Sequence, residues 1–132
     1  MLGELIAEYE GNILNQRVIP SDNPAIETTI QNRGKLLDMD ATDLLTYCSV
    51  IRPDGTIFGE GQGITMVDGE MATWFGQGVG KFVGKGPAVS FRGAVYFQSR
   101  SEKLSCLNCI AVIFEFDSDD NGVTHEKLWE WK

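Results

Sequence analysis

Turn signals divide this chain into short β-rich segments, and no stretch carries the apolar stripe of an amphipathic helix over three turns. Residues 52–56 match a type I turn with Gly55 near its end, and Asp68-Gly69 is the dipeptide most typical of a two-residue hairpin. Further turn signals lie at 84–87, 99–103 and 119–122. A chain of consecutive hairpins forms an antiparallel sheet in which each strand pairs with the next.

Eight strands are predicted between these turns, at 3–18, 25–37, 41–52, 56–67, 70–83, 88–98, 104–117 and 123–131. We expect Gly11 and Gly34 to mark bulges or bends in the two long early strands, and residues 20–24 to form a loop. The pattern predicts an all-β fold, an up-and-down antiparallel barrel of about eight strands whose closure removes the sheet edges. A two-sheet β-sandwich is the alternative. No linker divides the chain, so residues 1–132 are expected to form one domain.

The length, net charge and cysteine content of the chain limit the kinds of binding partner and cellular location that are expected. The chain has 132 residues, enough for one core without disulfides, and a formal net charge of -8, which disfavours nucleic acid and anionic membrane surfaces. The N-terminal residues resemble no signal peptide, and the longest apolar run, 110–114, is too short to span a bilayer. Three cysteines, an odd number without a secretory signal, predict reduced thiols in a cytoplasmic protein.

Alternating glycines lie along one face of two neighbouring predicted strands. Extending the two-residue hairpin pairs Gly61 with Gly76 and Gly63 with Trp74, and the preceding hairpin places Tyr47 opposite Gly61. The opposite face carries charged and amide side chains, so the glycine face is predicted to be the interior. The glycines sit within strands and lack the spacing of a phosphate-binding loop.

Two interpretations of this glycine face remain open. In the first, large aromatic rings lie flat across the glycines and fill the barrel. In the second, the missing side chains leave a cavity for an apolar or aromatic ligand. The candidate lining residues of such a cavity are Tyr47, Gly61, Trp74, Gly76, Gly78, Phe91, Phe97, Asn108, His125 and Trp129.

Cysteine and histidine give no established chemical motif. Cys106 and Cys109 are three residues apart in a predicted strand, which turns them to opposite faces, so buried structural cysteines are expected rather than a metal or redox site. His125 is the single histidine, and any imidazole chemistry would require it, with Glu115 roughly across the hairpin. The alternative is a surface histidine. No metal site and no cofactor are predicted.

Two further features concern packing and charge. Trp129 and Trp131 share one face of the last predicted strand, where they are expected to pack in the core or line the cavity. The acidic residues at 117–120 lack the ligand spacing of a calcium loop, so a solvated hairpin turn is expected there.

Glycine-rich hairpins carry a resemblance to known proteins. The runs at 59–63, 69–74 and 76–80, together with the terminal segment 127–132, resemble small bacterial proteins of unknown function. These are similar to the allene-oxide-cyclase-like barrels, a calycin-like class of eight-stranded barrels with an apolar cavity. The resemblance implies that fold over nearly the whole chain. No catalytic motif of the cyclase matches residues of this sequence, so it implies no reaction.

Three functions are compatible with these observations. The leading hypothesis is a barrel that binds a small apolar ligand in its interior. The second is an isomerase- or cyclase-type enzyme, which would need a polar side chain such as His125, Asn108 or a carboxylate pointing into the cavity. The third is a structural or oligomeric protein without a ligand. The sequence identifies no catalytic residue.

The outer face of the predicted barrel carries an apolar patch. The register places Phe58 beside Val79 and Phe75 beside Tyr96 on three adjacent strands. Contiguous exposed apolar residues favour association with a symmetry mate, so a homodimer or homotrimer is expected. In the alternative, an N-terminal strand or the loop at 20–24 covers the patch within one chain.

Overall fold

The computed structural model describes all 132 residues and forms a closed barrel of eight antiparallel strands in chain order, with the last strand paired to the first. The predicted up-and-down barrel is confirmed, and the sandwich alternative is wrong. The strands are β1 (Leu2–Ile19), β2 (Ala25–Leu36), β3 (Met39–Ile51), β4 (Thr56–Val67), β5 (Glu70–Phe82), β6 (Val89–Ser99), β7 (Val112–Ser118) and β8 (Val123–Trp131).

The register of the central hairpins follows the turn chemistry. Asp68 and Gly69 both adopt positive φ, 50° and 77°, as a two-residue turn with the twist of a hairpin requires. Gly63 consequently pairs with Trp74, and Tyr47 pairs with Gly61, as predicted. The glycine face of β4 and β5 is therefore the interior of the barrel.

A 3-10 helix, η1 (Glu102–Cys109), replaces the predicted start of the seventh strand. Leu104 and Leu107 are fully buried and three residues apart, the period of a 3-10 helix, so both point to the same side. They pack with Val67, Ala72 and other residues at one end of the barrel. This helix closes that end.

The cysteines of η1 lie on its outer side. Cys106 and Cys109 are exposed and free, so the prediction of buried structural cysteines in a strand is wrong. The error follows from the helix, which turns Leu104 and Leu107 inward and leaves the two thiols in solvent.

The chain contains no helix with the length and apolar character that crossing a membrane requires.

Gly11 and Gly34 lie in regularly paired positions, opposite Asn32 and Tyr9, rather than at bulges. A β-carbon at Gly11 would collide with Gln31 and Asn32, and one at Gly34 would collide with Glu8. These glycines let neighbouring backbone approach closely. The irregularity in this strand pair falls between Ile13 and Asn15 instead.

The second end of the barrel is open. The turns at 20–24, 52–55, 83–88 and 119–122 surround it, and no helix packs across it. A second apolar cluster, which includes Ile30, Ile57 and Phe116, lies in the middle of the barrel below this opening. The interior is therefore accessible from one end.

Candidate functional site

A cavity of about 310 Å³ occupies the open end of the barrel. Apolar side chains such as Ile13, Ile57 and Val89 alternate around it with the hydroxyls of Thr28, Ser49 and Ser118, and this mouth cavity is the first part of the candidate site. Its volume lies at the lower limit of roughly 300–1,000 Å³ that is usual for small-molecule sites. It can hold one small molecule.

The rings of Tyr47 and Phe91 form the floor of the mouth cavity, and Phe116 packs against both beneath it. The ring centroid of Tyr47 lies 5.7 Å from that of Phe91 and 5.9 Å from that of Phe116, both with edge-to-face geometry. Burial raises the pKa of Tyr47 to about 12. The phenol is therefore neutral at physiological pH and can donate a hydrogen bond.

Beyond this floor lies a second, smaller space of about 50 Å³, the inner chamber. Tyr47 and Phe91 line both cavities, so their side chains form the partition between them. Backbone of the alternating glycines forms one wall of the chamber. A β-carbon at Gly61 would lie 2.8 Å from Cβ of Tyr47, and one at Gly78 would lie 2.8 Å from Cζ of Phe114. The glycines both accommodate the rings and leave this space.

Asp43 is a buried carboxylate beside the chamber, 1% exposed. Its Oδ1 accepts hydrogen bonds from Trp74 Nε1 at 2.9 Å and from Thr65 Oγ1 at 3.0 Å. The Trp74 ring reaches Asp43 by crossing Gly63, where a β-carbon would lie 2.5 Å from the ring. Burial raises the pKa of Asp43 to about 6, and the two hydrogen bonds oppose that rise. Asp43 is therefore ionised at neutral pH.

Glu126 provides the titratable carboxyl of the inner chamber. It is 7% exposed, lines the chamber and has no hydrogen bond or salt bridge to the protein. Burial, followed by repulsion from Asp43, raises the pKa of Glu126 to about 8. At neutral pH this carboxyl is mostly protonated, because the charged form is poorly solvated there.

Two buried polar groups near the carboxyls lack partners. Tyr9 pairs with Glu126 between β1 and β8, and its hydroxyl has no hydrogen-bond partner. Burial and the two nearby carboxyls raise the pKa of Tyr9. Asn32 accepts a hydrogen bond from Thr124 Oγ1 at 2.7 Å, whereas its Nδ2 is unpartnered. Because buried polar groups are normally satisfied, these donors mark an interior suited to water or to polar ligand atoms.

No basic group balances these carboxyls. Every lysine, every arginine and the single histidine of the chain is exposed, on the outer face or in turns. Inside the barrel, the charge of Asp43 is stabilised by neutral donors alone, and Glu126 has none. The interior therefore carries uncompensated negative potential.

The structure brings together six of the ten candidate lining residues. Those that line the inner chamber are Tyr47, Gly61, Trp74, Gly76, Gly78 and Phe91. Phe97 is buried beside Leu104 in the apolar cluster at the closed end and lines neither the chamber nor the mouth cavity.

The placement of three candidates inside the barrel is wrong. Asn108 lies in η1, where its side chain bonds the backbone N–H and carbonyl of Ser99. His125 is exposed on the outer face, opposite Asp117, and Trp129 faces outward opposite Ile113. The inner face of β8 consists of Thr124, Glu126 and Leu128, one position out of step with the prediction. A shift of one residue exchanges the two faces of a strand.

The same shift affects the end of the last strand. Trp131 is exposed, so the prediction that Trp129 and Trp131 pack in the core is also wrong. This error in the inner face of β8 also prevented the prediction of Glu126 as an interior residue, because an acidic residue in a strand with many polar residues is normally assigned to the solvent face. Asp43 was missed for that reason too.

No protein-family model matches this chain, and no curated protein matches it. Solved structures do. A protein of unknown function from Clostridium acetobutylicum superimposes with a TM-score of 0.82 at 14% identity, over 98% of both chains. A conserved protein of unknown function from Rhodopseudomonas palustris gives 0.81 at 12% identity, over 99% of both chains.

A β-barrel-like protein from Acinetobacter baumannii gives a TM-score of 0.83 at 13% identity, covering 100% of this chain and 96% of that one. The fold is that of these bacterial barrels. At such low identity the likeness extends to the fold and to no activity. The resemblance to small bacterial proteins of unknown function is thereby confirmed.

Proposed function

We propose that this barrel binds a small apolar ligand that enters through the open end and rests on the ring floor of Tyr47 and Phe91. The observation that supports it is the mouth cavity of about 310 Å³ in a barrel whose other end is closed by η1. Its apolar walls favour an apolar body, and its hydroxyls can orient one or two polar atoms. The ligand is therefore short or flat and mostly apolar.

Binding at the mouth should be lost when the cavity is filled. Ser118→Phe projects a ring into the mouth cavity, and we expect it to weaken binding of 1-hexanol by at least about tenfold, since the ring takes the ligand's place. The measurement is a two-dimensional NMR titration that follows the methyl groups of Ile13 and Val89.

The matched control for this substitution is Ser90→Phe, which places the same ring on the outer face of β6. Its affinity for 1-hexanol should equal that of the unmodified protein. A wild-type titration without shifts at the mouth methyls, or full affinity in Ser118→Phe, would contradict the proposal.

A second candidate is the isomerase- or cyclase-type enzyme. Glu126 supports it, because this carboxyl faces the chamber and is neutral at pH 7 beside the ionised Asp43. Neighbouring carboxyls with separated pKa values are typical of proton-transfer sites. Asp43 lines neither cavity, so Glu126 is the group that would exchange a proton with a substrate. Glu126→Gln would abolish such an activity.

We also propose that the barrel self-associates through its outer face. Phe75 is 48% exposed, Val79 50% and Tyr96 55%, while Phe58 is half-buried beside Val79. Leu44 and Ile64, a cross-strand pair, continue the apolar surface onto β3. The N-terminal strand pairs with β2 and β8, and the patch is open to solvent in the single chain, which supports self-association over the alternative in which that strand or the loop at 20–24 covers the patch.

Phe75→Glu should convert a dimer or trimer into a monomer of about 14.6 kDa, because the new charge would be buried without a partner in the interface. Sedimentation velocity at micromolar concentration measures the change. Leu14→Glu, a similarly exposed apolar residue on β1, should leave the assembly intact. A monomeric unmodified protein would refute this proposal.

A further inference from the structure

The inner chamber contains a carboxyl that has no partner in the protein. Glu126 faces the chamber without a donor, and Asp43 adds a second acidic group nearby. The whole complement of lysine, arginine and histidine lies outside the barrel. A buried carboxyl normally requires donors or a counter-charge. The missing counter-charge must come from outside the chain if Glu126 is to ionise.

Five aromatic side chains line the chamber opposite or beside its glycine wall. The rings that line it belong to Tyr47, Trp74, Phe91, Phe114 and Phe116. Aromatic faces attract organic cations, and cages of several rings recognise alkylammonium groups. An anionic head group would be repelled by the ionised Asp43. The surface chemistry of the chamber thus favours an organic cation such as an alkylammonium group.

The size of the chamber restricts this cation to a head group. Its volume of about 50 Å³ exceeds the roughly 10–15 Å³ that one water needs and is below the roughly 150 Å³ of a cavity that binds benzene. A few heavy atoms fit. The mouth cavity begins directly beyond Tyr47 and Phe91, so the rest of a longer ligand would lie there.

We infer that the inner chamber is a subsite for an ammonium group, and that the ligand of the mouth cavity is an amphiphilic amine whose head lies against Glu126. This inference rests on the proposed ligand binding at the mouth. The apolar part of the amine occupies the space above the ring floor, and the head enters the chamber when the rings of Tyr47 and Phe91, which are in edge-to-face contact, rotate apart.

Ammonium binding is coupled to the loss of a proton from Glu126. The unliganded carboxyl is mostly protonated at pH 7, because burial raises its pKa to about 8, and an ammonium ion favours the charged form. The other titratable groups that face it are Tyr9, Asp43 and Tyr47; Glu60 borders the chamber but has an exposed side chain. Asp43 titrates near pH 6, and both tyrosines titrate well above pH 9. Glu126 is therefore the interior group that releases a proton when an amine binds between about pH 6 and pH 9.

The test compares n-hexylamine with 1-hexanol, which has the same tail and a neutral head, by isothermal titration calorimetry in two buffers of different ionisation enthalpy. We expect the amine to bind at least about tenfold more tightly near pH 8.5. It should release close to one proton near pH 6.5 and much less near pH 9, where the amine itself is still protonated.

Glu126→Gln should keep the affinity for 1-hexanol and lose both the preference for the amine and the proton release. Glu10→Gln, on the exposed face of β1, is the matched control and should behave as the unmodified protein. If Glu126→Gln does not fold, the carboxyl carbon-13 signal of Glu126 serves instead, since n-hexylamine should lower the pKa that this signal reports.

The two proposals fail in distinguishable ways. Binding of 1-hexanol with no advantage for the amine would overturn the ammonium subsite and leave the mouth site intact. An amine preference that persists in Glu126→Gln, or an unshifted Glu126 titration, would likewise overturn the subsite. Binding of neither compound would overturn both proposals.

Discussion

The folded barrel is expected to lose about 4 kcal/mol of stability between about pH 5 and pH 9 through Glu126 alone. The ordinary pKa of 4.5 for this carboxyl rises to about 8 in the folded state. Between these two values the folded protein holds a proton that the unfolded chain has released. The free energy of unfolding is therefore highest below the unfolded pKa and falls as the pH rises through the folded one.

Asp43 contributes in the same direction over a lower range, because its pKa rises from 3.8 to about 6. Denaturant unfolding at intervals across this range measures the trend. Glu126→Gln should flatten the profile above about pH 6, since an amide has no proton to lose. Glu10→Gln on the outer face should reproduce the slope of the unmodified protein. A stability that is constant or rises from pH 5 to pH 8 would show that Glu126 ionises normally.

Gly63→Ala is expected to lower the free energy of unfolding by about 2–4 kcal/mol, a large effect for one methyl group. The new β-carbon would lie 2.5 Å from the Trp74 ring. That ring cannot retreat without breaking its hydrogen bond to Asp43, which would leave a buried carboxylate with one donor. The readouts are chemical denaturation and the near-ultraviolet circular dichroism of Trp74.

Gly59→Ala is the matched control, on the same strand and the same inner face. Its β-carbon would lie 3.2 Å from Cε1 of Phe91, a ring edge that no hydrogen bond holds in place. We expect a cost below about 1 kcal/mol, partly offset by the lower entropy of the unfolded chain. Equal costs at the two positions would show that the Trp74–Asp43 bond does not anchor the ring.

Turn chemistry explains why β3 to β6 could be predicted from the sequence. Asp68-Gly69 fixes a two-residue turn, and Gly55 ends the turn before it with a φ of 87°. Each turn sets a register, and the register sets the inner face of both strands that it joins. The turns of this sequence therefore suffice to predict that Tyr47, Trp74 and Phe91 face the interior.

The acidic part of the site could not be found in this way. In β8, Thr124 and Glu126 alternate with His125 and Lys127, so both faces are polar and the pattern does not identify the inner one. The terminal tryptophans then favour the wrong face. Glu126 is buried at a cost to its charged form, as the raised pKa indicates. Local sequence patterns describe average burial preferences, and this residue departs from them.

The 3-10 helix in the connection between β6 and β7 could not be predicted from the sequence either. Leu104 and Leu107 follow a period of three over too short a distance to stand out from a strand pattern. Their burial depends on the open rim of the barrel, which they cover, and that rim exists only after the strands have closed.

Because η1 closes one end of the barrel, the interior has a single opening, which lies at the other end. Under the proposed function, a ligand that enters through this opening must leave through it, and while bound it blocks its own replacement. Exchange between two ligands is then sequential, and the rate at which a second one binds cannot exceed the rate at which the first departs. A chase experiment at increasing competitor concentration should consequently reach a plateau set by dissociation alone.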